Sequence, residues 1–283
     1  MLSATSLVGT GAMDFVSLVS TSKSDSLGGA VSAVQSFDGA YVNPASIAHV
    51  SSTHIYSQYL DYFDDIEFKN ISFIRSFSFG SIGIGYSSFD LGTHVRTTLD
   101  DKIGSSTINV NNESTLTQLF YSLKIDSLLI GFSLKHATET LDSIQSSQQS
   151  IDTGIQYIFS DNFSVGTAYN NFSLSKVKYI EDESSILADF RVGFMYKPYF
   201  FNHNLMFVSD FIYADLDQWT YSVGLDLKLH EYLQLRFGYQ TVTDLMGISF
   251  GVGLNLDPLI IDFSYRIEDD FSDVYRIGLG LKL

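Results

Sequence analysis

The sequence predicts an all-β protein, a transmembrane antiparallel β-barrel of about fourteen strands formed by residues 51–283. The pattern is clearest in the last nine residues, YRIGLGLKL, where Tyr275, Ile277 and Leu279 alternate with Arg276 and Gly278. Successive side chains of a strand point to opposite faces, so this segment has one bulky apolar face and one face of charge and glycine. Glycine weakens a strand that faces water and typically marks close packing or a confined space. The second face is therefore expected to enclose a lumen.

The same alternation recurs along the chain. It is present in TYSVGLDLKLH, YLQLRFGYQ, GISFGVGLNL and LIIDFSYRI, and earlier in GSIGIGYSSF, LLIGFSLKH, SIDTGIQYIF and LADFRVGFMYK. No run approaches the roughly 18 to 20 apolar residues that a transmembrane helix needs, so a membrane crossing has to use strands. A soluble β-sandwich with the apolar face as its core is the alternative architecture.

The connections between the predicted strands alternate in length, as in outer-membrane barrels, which have tight periplasmic turns and longer outer loops. Tight connections are predicted near residues 77–79, 126–127, 160–162, 198–203, 230–231 and 257–258. Longer connections are predicted near residues 61–66, 90–114, 138–149, 173–186, 214–218, 241–246 and 268–273. The even number of strands places both ends of the barrel on the periplasmic side of a bacterial outer membrane.

The composition excludes several classes of function. The chain has 16 Lys and Arg residues against 32 Asp and Glu residues, and its net charge of −16 repels phosphate backbones, so no nucleic-acid partner is expected. It has no Cys, which removes disulfides, thiolate nucleophiles and Cys-ligated metals. No metal and no cofactor are expected. The N-terminus lacks the basic start and apolar centre of an export signal, so we expect that a signal was removed or that this copy lacks one.

Catalytic motifs give no support for an enzyme. The six His residues are scattered, no G-x-S-x-G occurs, and G-x-G occurs only within predicted strands, whereas a dinucleotide loop needs a third Gly and a helix. His94 near Asp100 and Asp101 is an arrangement that some barrel enzymes use in outer loops, but spacing in a loop fixes no geometry. We expect no enzymatic activity.

Acidic residues concentrate in the predicted outer loops. They form either a solvated, mutually repelling rim or a divalent-cation site, for which no EF-hand-like spacing is present. A further interpretation is protein recognition, with residues 90–114 as the best candidate segment. The candidate partner contacts are Asp100, Asp101, Glu181, Asp182, Glu183, Asp269 and Asp270.

The polar faces of the predicted strands also carry charges that are expected to point into the lumen. They are Lys135, Arg191, Asp226, Lys228, Arg236, Asp262, Arg266, Arg276 and Lys282. Charges away from bulk water need partners, so we expect pairs that brace the strands and hold the N-terminal residues. A selective pore lining is the alternative.

Residues 1–50 do not follow the alternation. They are rich in small residues, and Pro44 holds Asn43 out of helical geometry, so a compact irregular segment is predicted. The motifs L-G-G-A at 27–30 and N-P-A at 43–45 resemble the N-terminal segment of the PorV/PorQ group, relatives of the FadL fatty-acid transporter. The resemblance implies that residues 1–50 form a hatch that enters the barrel and includes Gly28, Gly29, Asn43, Pro44 and Ala45.

The likeness continues through residues 55–92, which resemble the first hairpins of that family, and through the last twenty-five residues, where Asp262, Tyr265 and Arg276 stand on matching positions. It implies a barrel associated with type IX secretion, surrounded by outer-membrane lipid, that binds a protein partner through its outer loops. FadL-like members instead pass hydrophobic molecules through a hatch opening and a lateral gap. Because charge and glycine are expected on the lumen face, a transporter of hydrophobic small molecules ranks behind the protein-binding barrel as the alternative function. A structural barrel is the second alternative.

Overall fold

The chain folds into a closed antiparallel barrel, and the fold class is as predicted. The computed structural model describes residues 12–61, 66–95, 102, 109–142, 144–178, 183–201, 203–214, 218–241, 246–267 and 273–283. Over these residues fourteen strands close the barrel, while β8 and β9 form a separate two-stranded sheet. The strands are β1 (His54–Asp61), β2 (Glu67–Phe77), β3 (Gly80–Val95), β4 (Asn109–Ile125), β5 (Leu128–Leu141), β6 (Ile144–Ser160), β7 (Phe163–Ser173), β8 (Val177–Lys178), β9 (Glu183–Ser184), β10 (Asp189–Tyr196), β11 (Leu205–Ala214), β12 (Gln218–His230), β13 (Leu233–Thr241), β14 (Met246–Leu256), β15 (Leu259–Ile267) and β16 (Val274–Lys282).

The first and last strands close the barrel. β1 pairs with β16 in antiparallel register from His54 opposite Lys282 to Asp61 opposite Tyr275. The other barrel strands pair with their neighbours in sequence. β7 pairs directly with β10, because β8 and β9, which lie between them in sequence, form the separate small sheet. Because the barrel is closed, the backbone N–H and C=O groups of every strand form hydrogen bonds with neighbouring strands. A strand surrounded by hydrocarbon requires this, since lipid offers no hydrogen-bond partners.

The outer face of the barrel is apolar. Phe132, Val223 and Leu279 are 48%, 46% and 52% exposed, and large apolar side chains of the same orientation recur on the other strands. Aromatic residues mark both ends of this belt, for example Phe79 at a tight turn and Trp219 near an outer loop. Such a belt with aromatic edges is typical of a barrel that crosses the outer membrane, whereas a soluble sandwich would bury it.

Among the helices of the described ranges, none combines the length and the apolar character needed to cross a membrane.

The tight connections lie where the sequence predicts them, but two of the longer ones are shorter than expected. β3 continues to Val95 and β4 begins at Asn109, so residues 96–108 replace the predicted link 90–114. β5 continues to Leu141 and β6 begins at Ile144, so two residues replace the predicted link 138–149. The ladder here pairs polar residues such as Thr138 with Ser147. Apolar alternation stops where these strands leave the membrane belt, although their hydrogen bonding continues.

The residues before the barrel form short helical pieces instead of strands. These are η1 (Asp14–Leu18), α1 (Ser22–Ser26), η2 (Phe37–Gly39) and η3 (Pro44–His49), and a further turn, η4 (Tyr199–Phe201), lies between β10 and β11. η3 begins as a capped helix, because Asn43 Oδ1 accepts from the backbone N of Ala45 at 3.0 Å and Pro44 takes the first helical position. Most residues from 12 to 50 are buried.

Candidate functional site

The glycine-bearing faces of the strands meet residues 12–50, here called the N-terminal segment. A Cβ at Gly131 would lie 2.2 Å from the backbone N of Ala45, and a Cβ at Gly166 would lie 1.9 Å from the carbonyl oxygen of Ser32. Other glycines where a Cβ would come within 3.0 Å of this segment are Gly85, Gly154, Gly193, Gly224, Gly238 and Gly251. The glycines thus provide the space in which the N-terminal segment packs against the inner face.

Gly28 and Gly29 turn the chain after α1. Their φ angles are +66° and +77°, a region that favours glycine, and their backbone N atoms donate to Asp25 O and Ser24 O. A Cβ at Gly28 would also lie 2.8 Å from the carbonyl oxygen of Tyr239 on β13. Both the backbone conformation and the close contact require glycine at position 28.

Asp210 on β11 fixes the middle of the N-terminal segment. Its Oδ2 accepts from the backbone N of Ser32 at 3.1 Å and from Ser32 Oγ at 2.5 Å, and both residues are buried. The carbonyl oxygen of Ser32 accepts in turn from Gln156 Nε2 at 2.9 Å. Sequence reasoning missed Asp210, although a single acid between Val208 and Ile212 on an otherwise apolar face was a usable signal.

Asn43 binds the wall of the barrel as well as capping η3. Its Nδ2 donates to Ser32 O at 2.7 Å and to the carbonyl oxygens of Ile155 and Thr167, both at 3.3 Å. Ile155 and Thr167 are register partners on β6 and β7. The amide therefore ties two turns of the N-terminal segment to two adjacent strands.

A buried carboxylate joins α1 to the last two strands. Asp25 accepts from Ser264 Oγ at 2.9 Å and from Arg266 Nη2, and Arg276 Nε lies 3.7 Å from its Oδ1. Lys23 makes a second ion pair in this region, 3.5 Å from Asp38. Two of the predicted lumen-facing arginines thus bind the N-terminal segment, and Asp25, their partner, was not anticipated.

Other predicted lumen charges pair between strands. Arg236 lies 3.4 Å from Asp226 on β12 and 2.5 Å from Asp262 on β15. Asp226 and Arg236 are direct register partners across the β12–β13 turn. These pairs brace the inner face where it is enclosed, which fits the bracing interpretation.

The remaining predicted lumen charges differ in how deeply they are buried. Lys135 is buried and lies 2.9 Å from Asp152, whereas Arg191 is half-buried beside Asp189 at 2.6 Å. Lys228 and Lys282 have the inward register but are exposed at the strand ends. A position on the inner face therefore does not always imply enclosure.

The inner face of β1 to β5 carries large apolar side chains interspersed with buried polar ones such as Gln58, Asn70 and Gln118, whereas the sequence predicted a lumen face of charge and glycine. One cluster of buried side chains combines Ala12 to Val19, Phe37, Tyr41 and Ile47 of the N-terminal segment with inward residues of the strands. The strand members are Tyr56, Leu60, Phe68, Ile74, Phe89, Leu116, Phe120 and Ala137, with Val274 on β16 and Val177 and Ile186 from the β7–β10 connection. These strand side chains, here called the apolar strip, are interrupted along β1 and β2 by Gln58, Asn70 and Ser72, and the N-terminal segment covers them.

Two titratable groups of the N-terminal segment have perturbed pKa values. Burial raises the pKa of the Tyr41 phenol, so it stays neutral and hydrogen-bonds with Asn70. Partial burial lowers the pKa of His49, and the charges of Lys124 and Lys197 lower it further. His49 is thus held neutral near the tight-turn end of the barrel.

Most of the proposed partner contacts in the outer loops lie outside the described residues: Asp100, Asp101, Glu181, Asp182, Asp269 and Asp270. Glu183 is described, exposed and 3.1 Å from Lys176. His94 belongs to β3, next to the undescribed residues 96–101. Within the described parts of the chain, no three His, Asp or Glu side chains are grouped to hold a metal ion.

The wall is thin where the N-terminal segment presses on β5 and β6. A groove of about 220 Å³ lies there on the barrel exterior. It is lined by Ile130, Gly131, Phe132, Thr153, Gly154, Ile155, Thr167, Ala168, Tyr169 and Phe190. Gly131 and Gly154 also contact the N-terminal segment from inside, so only small residues separate that segment from the groove.

No protein-family model matches the sequence, and no curated protein does. Solved structures share the fold. CymD, a monoaromatic hydrocarbon channel, has a TM-score of 0.68 at 12% identity, covering 94% of this chain and 98% of that one. The toluene transporter TbuX of Ralstonia pickettii has a TM-score of 0.66 at 11% identity, covering 92% and 97%. A FadL homologue of Pseudomonas aeruginosa has a TM-score of 0.61 at 12% identity, covering 90% and 95%.

These likenesses, at such low identity, concern the fold. The chain has the architecture of FadL-like outer-membrane barrels, and with the exposed apolar belt this confirms the predicted transmembrane barrel of the bacterial outer membrane. The PorV/PorQ resemblance and the secretion-associated role that it implies are not supported by these neighbours.

Proposed function

We propose that this FadL-like barrel passes small hydrophobic molecules across the outer membrane, and that its N-terminal segment is the hatch that closes the lumen. The observation that carries the proposal is the apolar strip on the inner face of β1 to β5. It extends from Leu60 and Phe68, which are paired near an outer loop, to Ile74, which pairs with His54 near the periplasmic end. An apolar solute finds apolar side chains at both ends of this strip and passes the buried polar side chains of Gln58, Asn70 and Ser72 between them.

The N-terminal segment has to move for passage to occur. In the described residues the strands form a continuous closed ladder, so the wall itself offers no gap, and the strip is covered by Ala12 to Val19 and Phe37. The segment is held to the wall by hydrogen bonds and ion pairs at Asp25, Ser32 and Asn43, which are reversible. This state of the barrel is therefore a closed one.

The structural neighbours support the substrate class. TbuX and TodX are toluene transporters, and CymD is a monoaromatic hydrocarbon channel. The strip of this chain is rich in Phe and Tyr, which suits small aromatic solutes. We therefore assign small hydrophobic molecules, including monoaromatic compounds, as its cargo, and no described contact favours a protein-binding role over this one.

A reversible crosslink tests the proposal. An ideal Cβ at Gly193 would lie 2.9 Å from the Cβ of Ser32, and the chain has no Cys, so the pair Ser32→Cys and Gly193→Cys can form a single disulfide once the Asp210 side chain, which the new Cβ would meet, turns aside. The assay is uptake of radiolabelled toluene by cells whose outer membrane carries lipopolysaccharide and this barrel as the main aromatic route. Each single-Cys variant serves as the control.

We expect uptake to stop when the disulfide is formed and to return when a reductant opens it, because only then can the N-terminal segment move. Equal uptake by the oxidised and reduced double variant, or uptake no greater than in cells lacking the barrel, would contradict the proposal.

A further inference from the structure

The groove on the barrel exterior lies within the apolar belt, among the outward side chains of β5, β6, β7 and β10. Two short residues form its floor. Thr153 lies between its register partners Phe132 on β5 and Tyr169 on β7, and Thr167 lies opposite Ile155. The rings of Phe132 and Tyr169 are 48% and 40% exposed and stand above the threonines as walls. The groove is therefore a trough between bulky side chains on the lipid face.

The trough is closed toward the outer loops and open toward the periplasmic turns. On the outer side it ends at three large apolar residues that face one another across β5, β6 and β7: Leu134, Ile151 and Phe172. On the periplasmic side, the next outward residue of β7 after Thr167 is Val165, which lies between the longer side chains of Tyr157 and Phe194. A molecule that fills the trough therefore enters from the periplasmic half of the membrane.

A bulge in β7 lies directly beside this trough and is fixed from inside the barrel. Asn170 and Asn171 of β7 oppose the single residue Asp152 of β6, and such a bulge bends its strand. Asp152 Oδ1 accepts from the backbone N of Asn171 at 2.8 Å. Lys135 Nζ lies 2.9 Å from Asp152 Oδ2 and donates to Asn171 Oδ1 at 2.8 Å. A buried ion pair thus holds the bend, and the wall beside the trough has a fixed shape.

The depth of the trough matches the end of an acyl chain. Phe163 begins β7 at the tight turn, and its ring lies 5.4 Å from that of Phe159 at the periplasmic edge of the belt. With a rise of about 3.3 Å per residue and a strand tilt of about 40°, Thr167 lies about 10 Å deeper than Phe163. The hydrocarbon layer is about 30 Å thick, so the chains of one leaflet end about 15 Å from its edge.

We propose that this trough binds the terminal part of one acyl chain of a phospholipid from the periplasmic leaflet. Lipid is as apolar as the side chains of the belt, so binding depends on packing and not on the hydrophobic effect. A flexible chain end fills a narrow trough that has a closed outer end. The ligand needs no polar group beside Thr167, because Thr167 Oγ1 donates to the carbonyl oxygen of Arg191 at 2.9 Å. This site is independent of the proposed function.

The test uses the full chain in detergent with a phosphatidylethanolamine that carries a diazirine at the end of one acyl chain. Ultraviolet light attaches the chain end to the side chains that it touches, and mass spectrometry of peptides locates the adducts. The reference surface is a row of the belt on β14, β15 and β16 that has no short residue: Val252, Phe263 and Ile277. These side chains are 38%, 39% and 42% exposed, close to the exposure of the groove walls.

We expect adducts to form in the groove about tenfold more than on the reference surface, because roughly ten additional carbon contacts supply about 1.4 kcal/mol. Labelling of the groove should saturate, and unlabelled phosphatidylethanolamine should suppress it. Equal labelling of the two surfaces, or labelling that never saturates, would overturn the proposal.

Two substitutions to Phe test whether the trough itself is responsible. Thr153→Phe fills the floor and should reduce labelling of the groove to the level of the reference surface. Ser209→Phe is the matched control, because Ser209 is also a short outward residue, opposite Phe194 and Val223 on neighbouring strands, and does not line the groove. Loss of labelling in both variants, or in neither, would contradict the proposal. If Thr153→Phe does not fold, saturation and competition in the unaltered chain decide the question.

Three competitors separate the proposed occupant from others. Lipopolysaccharide that suppresses labelling better than phosphatidylethanolamine would overturn the assignment to the periplasmic leaflet. Toluene that suppresses it as well as phosphatidylethanolamine would make a small hydrocarbon the occupant. Suppression by unlabelled copies of the barrel, together with dimer formation, would make a second copy the occupant. The assay contains no transport step, so none of these results affects the proposed function.

Discussion

Gly131→Ala should unseat the N-terminal segment from the barrel wall. The added methyl group would lie 2.2 Å from the backbone N of Ala45 and 2.2 Å from the carbonyl carbon of Pro44. Both are backbone atoms, which cannot turn aside as a flexible side chain can. The N-terminal segment therefore has to shift away from β5.

The size of the effect follows from the packed contact. Forcing a methyl group into such a contact destabilises by about 1–3 kcal/mol. Residue 131 stays in β5 whether or not the segment is seated, so restriction of the unfolded chain by Ala does not change this equilibrium. The loss of about 1–3 kcal/mol raises the population with an unseated segment by between about fivefold and 160-fold.

Gly247→Ala is the matched control for this substitution. Gly247 also faces the lumen, but the nearest atom to an added Cβ is Arg266 Cδ at 3.5 Å, an ordinary contact. Lys23 is the only Lys or Arg among residues 1–50, so the rate of tryptic cleavage after it reports release of the segment. We expect faster cleavage in Gly131→Ala and no acceleration in Gly247→Ala. Equal cleavage rates in the two variants would refute the packing argument.

Three further predictions concern the polar contacts of the N-terminal segment. Asp25→Ala takes the carboxylate away from the buried Arg276 and the partly exposed Arg266 and should destabilise docking of the segment by about 3–5 kcal/mol, seen as rapid tryptic cleavage at Lys23, while slow cleavage would contradict it. Asp210→Ala leaves the buried donors of Ser32 unpaired and should lower stability by about 1–3 kcal/mol in chemical denaturation, whereas Asp210→Asn, which keeps an acceptor, should lose less. The pKa of His49 is lowered in the folded protein, so on acidification the unfolded chain binds this proton at a higher pH than the folded protein does, and stability should fall as pH drops below about 6.5. His49→Gln should remove this part of the pH dependence of the unfolding midpoint.

The barrel was predictable because the same constraint acts on every strand. Lipid on one side and a confined lumen on the other impose a period of two, and tight turns then set the register of each hairpin. Even the Asp226–Arg236 pair follows from the position of the β12–β13 turn. The strand ends beyond the membrane were not predictable from apolar alternation, because both faces meet water there.

The interior was predictable only in part. Loss of alternation showed that residues 1–50 are not barrel strands, but it did not show which wall they would contact. Ser264 lies 239 residues from Asp25, and only the closed barrel brings the two together. The apolar strip did leave a signal in the sequence, because Leu116 and Phe120 face inward on β4 while Leu119 faces outward, so both faces of this strand carry large apolar side chains, with Gln118 between the two inward ones.

The two sides of the lumen hold the N-terminal segment by different mixtures of contacts, and this difference bears on how a ligand would open the barrel. On the side of β6 to β16, carboxylates and amides fix the segment, and a hydrocarbon has no donor or acceptor with which to replace them. On the side of β1 to β5, hydrogen bonds such as that of Asn70 with Tyr41 stand beside apolar contacts such as that of Phe15 with Phe89, and a hydrocarbon can replace the apolar ones because they are not directional. Under the proposed function, a hydrocarbon therefore loosens the apolar contacts, whereas the contacts of Asp25, Ser32 and Asn43 have to break without its help.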